Sequence, residues 1–369
     1  MSVVEQAFSP SYAVARQQFL EAAASAGLAL QSQPHPLTGV AGEALAMDVA
    51  RDGAADADQL LILSSACHGI EGYCGSGVQV YALRDAEWLD KVRSAGVAVL
   101  YVHALNPHGF SYGRRVTQEN VDLNRNFVDF SQPLPGNPAY DQLHEVIVPA
   151  QWPPTAAVQQ AMQDFIDAHG LKAWQAAVAQ GQYRHPQGVF FGGQAPTWSN
   201  QTLRQVLRQH GQAARQIAWI DVHTGLGPNG YGERIFTGPP GDAAMLARAR
   251  RWWDGAGATP VTSLDDGSSS SPPLTGLLWN SVAQECPQAT FTGMALEYGV
   301  LPVHATLDAL RADHWLHQHP EAPAAQQAAI HQQMREAFYD ESVAWKAQII
   351  SQARQALFQT VDGLSSEAR

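Results

Sequence analysis

Three apolar runs and one alternating stretch divide the chain, and each stops at a cluster of polar residues. Leu60-Leu61-Ile62-Leu63 runs into Ser64-Ser65-Ala66-Cys67-His68-Gly69-Ile70-Glu71-Gly72. Val97 to Val102 leads to Asn106-Pro107-His108-Gly109-Phe110, then to Arg114-Arg115 and Val121-Asp122-Leu123-Asn124-Arg125-Asn126-Phe127. Ile217 to Val222 leads to His223-Thr224-Gly225, and Thr290 to Leu296 leads to Glu297-Tyr298-Gly299. Short apolar runs bounded by Gly and polar residues read as buried strands. Leu28–Gln33 and Ala44–Ala50 add two more strands.

Helical periodicity fills the intervals. Ser9 to Ala26 reads as a helix with Ser9 as N-cap, Pro10 in the first turn and Gly27 at its end. Gly75–Arg84 reads as a helix that buries Val78, Val80 and Leu83. Alternating strands and helices predict an α/β fold: a mixed, largely parallel twisted sheet flanked by helices, with sites near strand ends. Residues 128–218 separate two of the polar clusters and hold helical patterns over Ala156–Ala168 and Leu171–Ala179. They read as a largely helical insertion within one catalytic domain spanning 1–369. The loop Tyr183–Trp198 either walls a pocket or packs on the core, which makes Arg184 and His185 secondary candidates. Leu264–Pro273 reads as a flexible, exposed connection, with a lid as the alternative. His304, His314, His317 and His319 fall in a helical, solvent-leaning region, where a second metal site is the sharper and bland surface histidines the plainer reading. Ala324–Ala356 reads as one or two helices, with Thr360 onward frayed.

Composition narrows the partners. The 369 residues are 45% hydrophobic and carry a formal charge of -12. That is enough for a large core, and the acidic balance argues against nucleic acid. Cys67, Cys74 and Cys286 cannot form a disulfide framework and read as buried hydrophobes, although Cys67 and Cys74 flank His68 and Glu71 closely enough to suggest thiolate ligation. The first residues show no basic segment followed by an apolar core, and no run approaches the length of about 20 residues that spans a bilayer. A soluble, cytoplasmic, bacterial protein with no membrane partner is expected; its oligomeric state is unreadable.

The polar clusters carry the chemistry. His68 and Glu71 leave one tight turn, and zinc accepts nitrogen and oxygen ligands at about 2.0–2.2 Å. His223 supplies a third donor, leaving the open position that a catalytic zinc keeps for water. Glu297 has no structural reason to end a buried strand, because an unpaired buried charge is costly; beside an activated water it becomes a general base and then an acid. Arg125 offers a fork for a carboxylate with Asn124 beside it, and Arg114 or Arg115 offers positive charge to an oxyanion. The plainer alternatives are a surface loop whose arginines pair with Asp122 and Asp129, a satisfied strand-end His223 and a salt-bridged Glu297.

Taken together, His68-x-x-Glu71, Asp122-Leu123-Asn124-Arg125-Asn126-Phe127, His223 and Glu297, in that order, resemble the zinc carboxypeptidase superfamily. That superfamily includes carboxypeptidase A and the succinylglutamate desuccinylase/aspartoacylase branch. His-Gly-x-Glu-Gly, Asn-Pro-x-Gly-Phe, Val-Asp-Leu-Asn-Arg-Asn-Phe and His-Thr-Gly-Leu-Gly look most like a bacterial group of unknown function within it, over about residues 10–340. The resemblance implies one zinc per chain on His68, Glu71 and His223, with Glu297 as catalytic carboxylate. It implies that Asn124 and Arg125 hold a substrate carboxylate and that Asp122 orients His68. Arg115 would polarise the scissile carbonyl, with Arg114 as alternate. No residue clearly matches the tyrosine that closes over substrate; Tyr231, Tyr298 and Trp279 are candidates. The implied reaction is zinc-dependent hydrolysis of an amide next to a carboxylate-bearing residue, in a peptide or in an N-acyl-amino acid. The tail reads helical, so a separate β-domain of the desuccinylase type is not expected. The third reading is a zinc- or ligand-binding protein that does not catalyse.

Overall fold

The computed structural model describes residues 2–255 and 257–367. Eight strands form one sheet: β1 (Ala29–Thr38), β2 (Ala44–Asp52), β3 (Gln59–Ser64), β4 (Ala98–His103), β5 (Gln216–Asn229), β6 (Gly232–Phe236), β7 (Val261–Ser263) and β8 (Thr290–Gly299). Their order is β1-β2-β4-β3-β5-β8-β6-β7. The central strands β4, β3, β5 and β8 are mutually parallel. The β1–β2, β2–β4 and β6–β8 pairs are antiparallel, so the sheet is mixed, as expected.

The apolar runs explain why these strands lie at the centre. Strands buried on both faces read as continuous hydrophobic segments, and Leu60–Leu63 and Ala98–Val102 are fully buried. Alternate residues face opposite layers. Leu61, Leu63, Val99 and Tyr101 pack with the helices Tyr12–Ser25, Gly72–Arg84 and Val343–Glu367. Leu60, Ile62, Leu100 and Trp219 pack on the other face with Leu203, Val206 and Leu207 of the helix Trp198–His210.

Several boundaries differ from expectation. The first helix spans Tyr12–Ser25, and its N-cap is Ser11, whose hydroxyl accepts from Val14 N; the expected cap, Ser9, lies two residues upstream and is buried. The final helix runs through Val343–Glu367. Thr360, Val361 and Leu364 are buried in it, so the tail beyond Thr360 is packed rather than frayed. Residues 128–218 hold the helices Pro138–Ile147, Ala156–His169, Leu171–Ala179 and Trp198–His210. His304 and His317 are exposed, but His314 is buried and its Nδ1 bonds Leu310 O. No metal-holding group forms there among the described residues. Among them, too, no helix is long and apolar enough to cross a membrane.

Candidate metal and active site

The site gathers at the C-terminal ends of the central strands. After β3 the chain passes through Ala66, at φ 56°, into the turn that carries His68 and Glu71. Gly69 N donates to Arg115 O at 3.0 Å and Ile70 N to Arg114 O at 2.9 Å. A Cβ on Gly69 would stand 2.0 Å from Gly109 C, so the two motif glycines let these backbones touch. Asp122 starts the turn Leu123–Arg125 by accepting from Asn124 N. His223 lies inside β5 rather than at its end, because β5 continues to Asn229. It pairs in register with Glu297 of β8, so the two side chains stand side by side on one face.

His68, Glu71 and His223 converge. Glu71 Oε1 lies 2.8 Å from His68 Nδ1, Glu71 Oε2 lies 3.0 Å from His223 Nδ1, and the two Nδ1 atoms are 3.3 Å apart. Ligands about 2.1 Å from a tetrahedral zinc would stand roughly 3.4 Å from one another. The opposite nitrogen of each ring faces an aspartate. His68 Nε2 lies 3.2 Å from Asp122 Oδ1, and His223 Nε2 lies 2.5 Å from Asp221 Oδ2. The second approach is close but poorly aligned for a hydrogen bond. Arg115 Nη2 also lies 2.8 Å from His68 Nε2. A cation at Nδ1 would put the His68 proton on Nε2, where Asp122 can accept it once the Arg115 Nη2 contact gives way.

Charge balance tests the fit to a metal. Glu71, Asp122, Asp221 and Glu297 are all buried, and Arg115 and Arg125 are the cations among them. Glu71, Asp122 and Asp221 against two guanidinium groups leave one negative charge, and Glu297 adds a second only once it ionises; a divalent cation would offset that excess. Burial opposes ionisation of Asp122, but Arg115, His68 and Arg125 outweigh it and hold its carboxyl well below the usual range. Burial opposes the charge of Glu71 as well, and His68 and His223 hold it low. Burial also disfavours a charged His223, yet Asp221 and Glu71 push its proton affinity well up; the pocket draws positive charge. Glu297 goes the other way: burial and the charge of Glu71 push it up to about 8. Its Oε1 accepts from Leu226 N at 3.0 Å.

The two arginines separate cleanly. Arg115 Nε donates to Asp122 Oδ2 at 2.9 Å and Nη1 to Glu71 Oε1 at 3.0 Å. Arg114 turns away: its Nε donates to Asp313 Oδ2 and its Nη2 to Asn120 Oδ1, and it does not line the cavity. Arg115 pairs with Asp122 and not with Asp129, which is exposed and bonded to Ser131. Arg125 gives Nε and Nη2 to Ala179 O and Nη1 to Asn124 O. Asn124 Oδ1 accepts from Leu278 N. Arg115 and Arg125 both lie over the Phe190 ring, at 5.1 and 5.3 Å. Phe190 has φ 52°, a conformation unfavourable to a bulky residue and typical of functional sites.

A family profile described as "Protein of unknown function (DUF2817)" matches residues 8–352. The chain belongs to the DUF2817 family. No curated protein matches it. Among solved structures, this DUF2817 chain is similar to carboxypeptidase A from Helicoverpa armigera, at 10% identity and TM-score 0.45, over 89% of this chain and 73% of that one. It is similar to thrombin activatable fibrinolysis inhibitor at 13% identity and TM-score 0.46, over 86% and 78%. A metallo-carboxypeptidase from Burkholderia cenocepacia matches at 12% identity and TM-score 0.39, over 87% and 66%.

Around the cluster, the DUF2817 chain folds a cavity of about 800 Å³, counted out to its mouth. Trp279 lines it; Tyr298 instead donates its hydroxyl to Ile349 O, and Tyr231 is exposed and absent from the walls. Leu264, Ser271, Pro272 and Leu274 line it as well, so this segment is a wall rather than a plain exposed connection. Buried Glu233 ties it down by accepting from Ser270 N and from Thr262 Oγ1. From the loop Tyr183–Trp198, Phe190 reaches the cavity, while Arg184 and His185 pair with Asp141 outside it. Cys67 forms a second trio with Asp221 and His223, but burial and Asp221 push its thiol well up, which disfavours the thiolate that ligation needs. Cys74 is buried and pushed up likewise. Sequence reasoning missed Asp221 as the partner of His223. The signal was present: residues two apart on a strand share a face.

Proposed function

We propose that this DUF2817 protein is a zinc-dependent hydrolase that cleaves an amide bond next to a carboxylate-bearing residue. The observation that carries the reading is the convergence of His68 Nδ1, His223 Nδ1 and the Glu71 carboxylate in a buried cluster with carboxylates in excess of guanidinium groups. His68, Glu71 and His223 would hold the zinc, with Asp122 and Asp221 orienting the two imidazoles. Bound there, zinc supplies Lewis acidity toward a carbonyl and lowers the pKa of a water toward about 7.

The chain's own residues do the rest. Glu297 takes a proton from the attacking water at the oxygen not held by Leu226 N, and later gives it to the leaving amine. Its raised proton affinity suits both roles, since a carboxyl poised near neutrality can accept and return a proton. Arg115, fixed by Asp122 and Glu71, presents positive charge where the carbonyl oxygen becomes an oxyanion. Asn124 and Arg125 hold the substrate carboxylate at the cavity wall, and Arg114 is left as a buried structural pair with Asp313.

Metal analysis by mass spectrometry on purified wild type and His223→Ala tests the site. About one zinc per chain, lost in the variant, is expected. Blocked dipeptides and N-acyl-amino acids are then compared as substrates. Turnover of acyl-amino acids alone makes the enzyme a deacylase; zinc bound with no turnover of either class sinks the hydrolase reading.

A further inference from the structure

His68 and His223 converge on one point, yet the aspartates behind them are held by different means. Asp122 is met by Arg115 Nε at 2.9 Å and by Asn124 N at 3.0 Å. Asp221 pairs with no arginine or lysine among the described residues; its one ionic neighbour is His223. Its Oδ1 accepts instead from Ser64 Oγ, and Ser64 Oγ accepts from Trp219 Nε1 at 2.6 Å. Ser64, Trp219 and Asp221 are all fully buried.

Strand register builds this chain of contacts. β3 and β5 run parallel, with Ser64 opposite Asp221 and Ile62 opposite Trp219. Residues two apart on a strand share a face. Trp219, Asp221 and His223 therefore follow one another along one side of β5, and Ser64 stands beside them on β3. The indole has little freedom. Trp219 lies in the apolar layer with Leu203, Val206 and Leu207, and its ring meets Trp279 edge-on, with centroids 5.3 Å apart.

The direction of the hydrogen bonds follows from the three groups. An indole nitrogen only donates, and a carboxylate only accepts. The serine hydroxyl has one proton. With the indole N–H on its oxygen, that proton goes to Asp221 Oδ1. Oδ1 is then engaged, and Oδ2 is turned toward His223 Nε2, 2.5 Å away. His223 Nδ1 is left as the nitrogen that faces His68 and Glu71.

We propose that Ser64 and Trp219 are positioning residues for His223: acting through Asp221, they fix which nitrogen and which ring orientation His223 presents to the metal. This rests on the metal-site reading above and extends it two residues outward from the ligand. A serine that only fills space and satisfies its own hydroxyl would leave metal affinity unchanged when removed.

Zinc affinity is measured by competition with a chelator on wild type, Ser64→Ala, Ser64→Thr, Asp221→Asn and the Ser64→Ala/Asp221→Asn double variant, each checked for folding by circular dichroism. Ser64→Ala is expected to weaken zinc binding about tenfold, and Ser64→Thr, which keeps the hydroxyl, to restore most of it. The double variant is expected to bind no more weakly than Asp221→Asn alone, because both changes break one path. Wild-type affinity in Ser64→Ala, or losses that add in full, overturns the proposal. Trp219→Phe keeps an aromatic ring and drops the N–H, and is expected to lose about threefold. It decides the matter if Ser64→Ala does not fold, an unchanged affinity then overturning the proposal. A further readout needs no metal. In chelator-treated protein, a proton on His223 Nε2 beside the Asp221 carboxylate is expected to give a resolved downfield proton resonance that is absent from His223→Ala. Where wild type takes up no zinc, the metal reading fails and this resonance decides the positioning role. Its loss in Ser64→Ala with retention in Ser64→Thr supports that role; a wild type without it, or Ser64→Ala that keeps it, overturns it.

Discussion

Glu71 and Glu297 face the same cluster with opposite proton affinities, the first held low and the second pushed up to about 8. For Glu297 the folded value lies above the ordinary 4.5, so the fold favours its protonated form. Its contribution to stability is fully present below about pH 4.5 and is lost as pH rises through about 8. In chelator-treated protein, Glu297→Gln is therefore expected to melt progressively higher than wild type between those pH values, with thermal scans as the readout. The same substitution in the zinc-loaded enzyme should cost about 10²- to 10⁴-fold in kcat with zinc content unchanged. Asp221→Asn should weaken zinc binding by about 10- to 100-fold, measured by competition with a chelator, because a carboxylate behind a ligating imidazole fixes its orientation and basicity. At this scale the sequence was informative where a residue sat at odds with its surroundings. His68, Glu71, His223 and Glu297 are polar groups ending apolar runs, and all are buried together. Arg115 was put ahead of Arg114 only through the resemblance; adjacent residues differ in which way the turn faces them, and it is Arg115 that faces the cluster. Phe190 was not legible: its contact with both guanidinium groups joins segments far apart in the chain.

Strands β2, β3 and β4 fall close to their expected places, because continuous apolar runs leave little freedom of assignment. Helix ends were less legible. Ser9 was expected to cap the first helix, but Ser11 does so, in a helix whose Tyr12 and Phe19 are buried in the core. The last helix shows the same effect more strongly. Its hydrophobic residues beyond Thr360 are sparse, yet Gly363 packs so closely that a Cβ there would stand 2.4 Å from the Trp252 ring. Long-range packing therefore stabilises an end that local pattern leaves open. Leu364→Ala is expected to destabilise the protein by about 2–5 kcal/mol, read from urea unfolding. A frayed tail would show no change.

On the scale of the whole molecule, buried histidines set an acid limit. Burial lowers His103 and His314 from 6.5 to about 4. The folded value lies below the unfolded one, so the stability they contribute is present above about pH 6.5 and is lost as pH falls through about 4. Each can contribute up to roughly 3 kcal/mol over that window. Unfolding midpoints in denaturant, taken from pH 7 down to pH 4, should fall, and His103→Gln should flatten part of the decline. The sheet order was only partly legible, since pairing of β8 between β5 and β6 requires chain segments that no local pattern links.

The proposed metal cluster and much of the cavity wall are built from different parts of the chain. His68, Glu71 and His223 hang from the parallel centre of the sheet, whereas Leu264 to Trp279, Leu307, Leu310 and Phe338 belong to later segments laid over it. Loosening those later segments can empty the substrate wall while the sheet centre still holds its three ligands. On the proposed reading, partial opening would leave a protein that still binds metal but no longer holds substrate, so metal content alone would be a poor measure of how much of a preparation is intact.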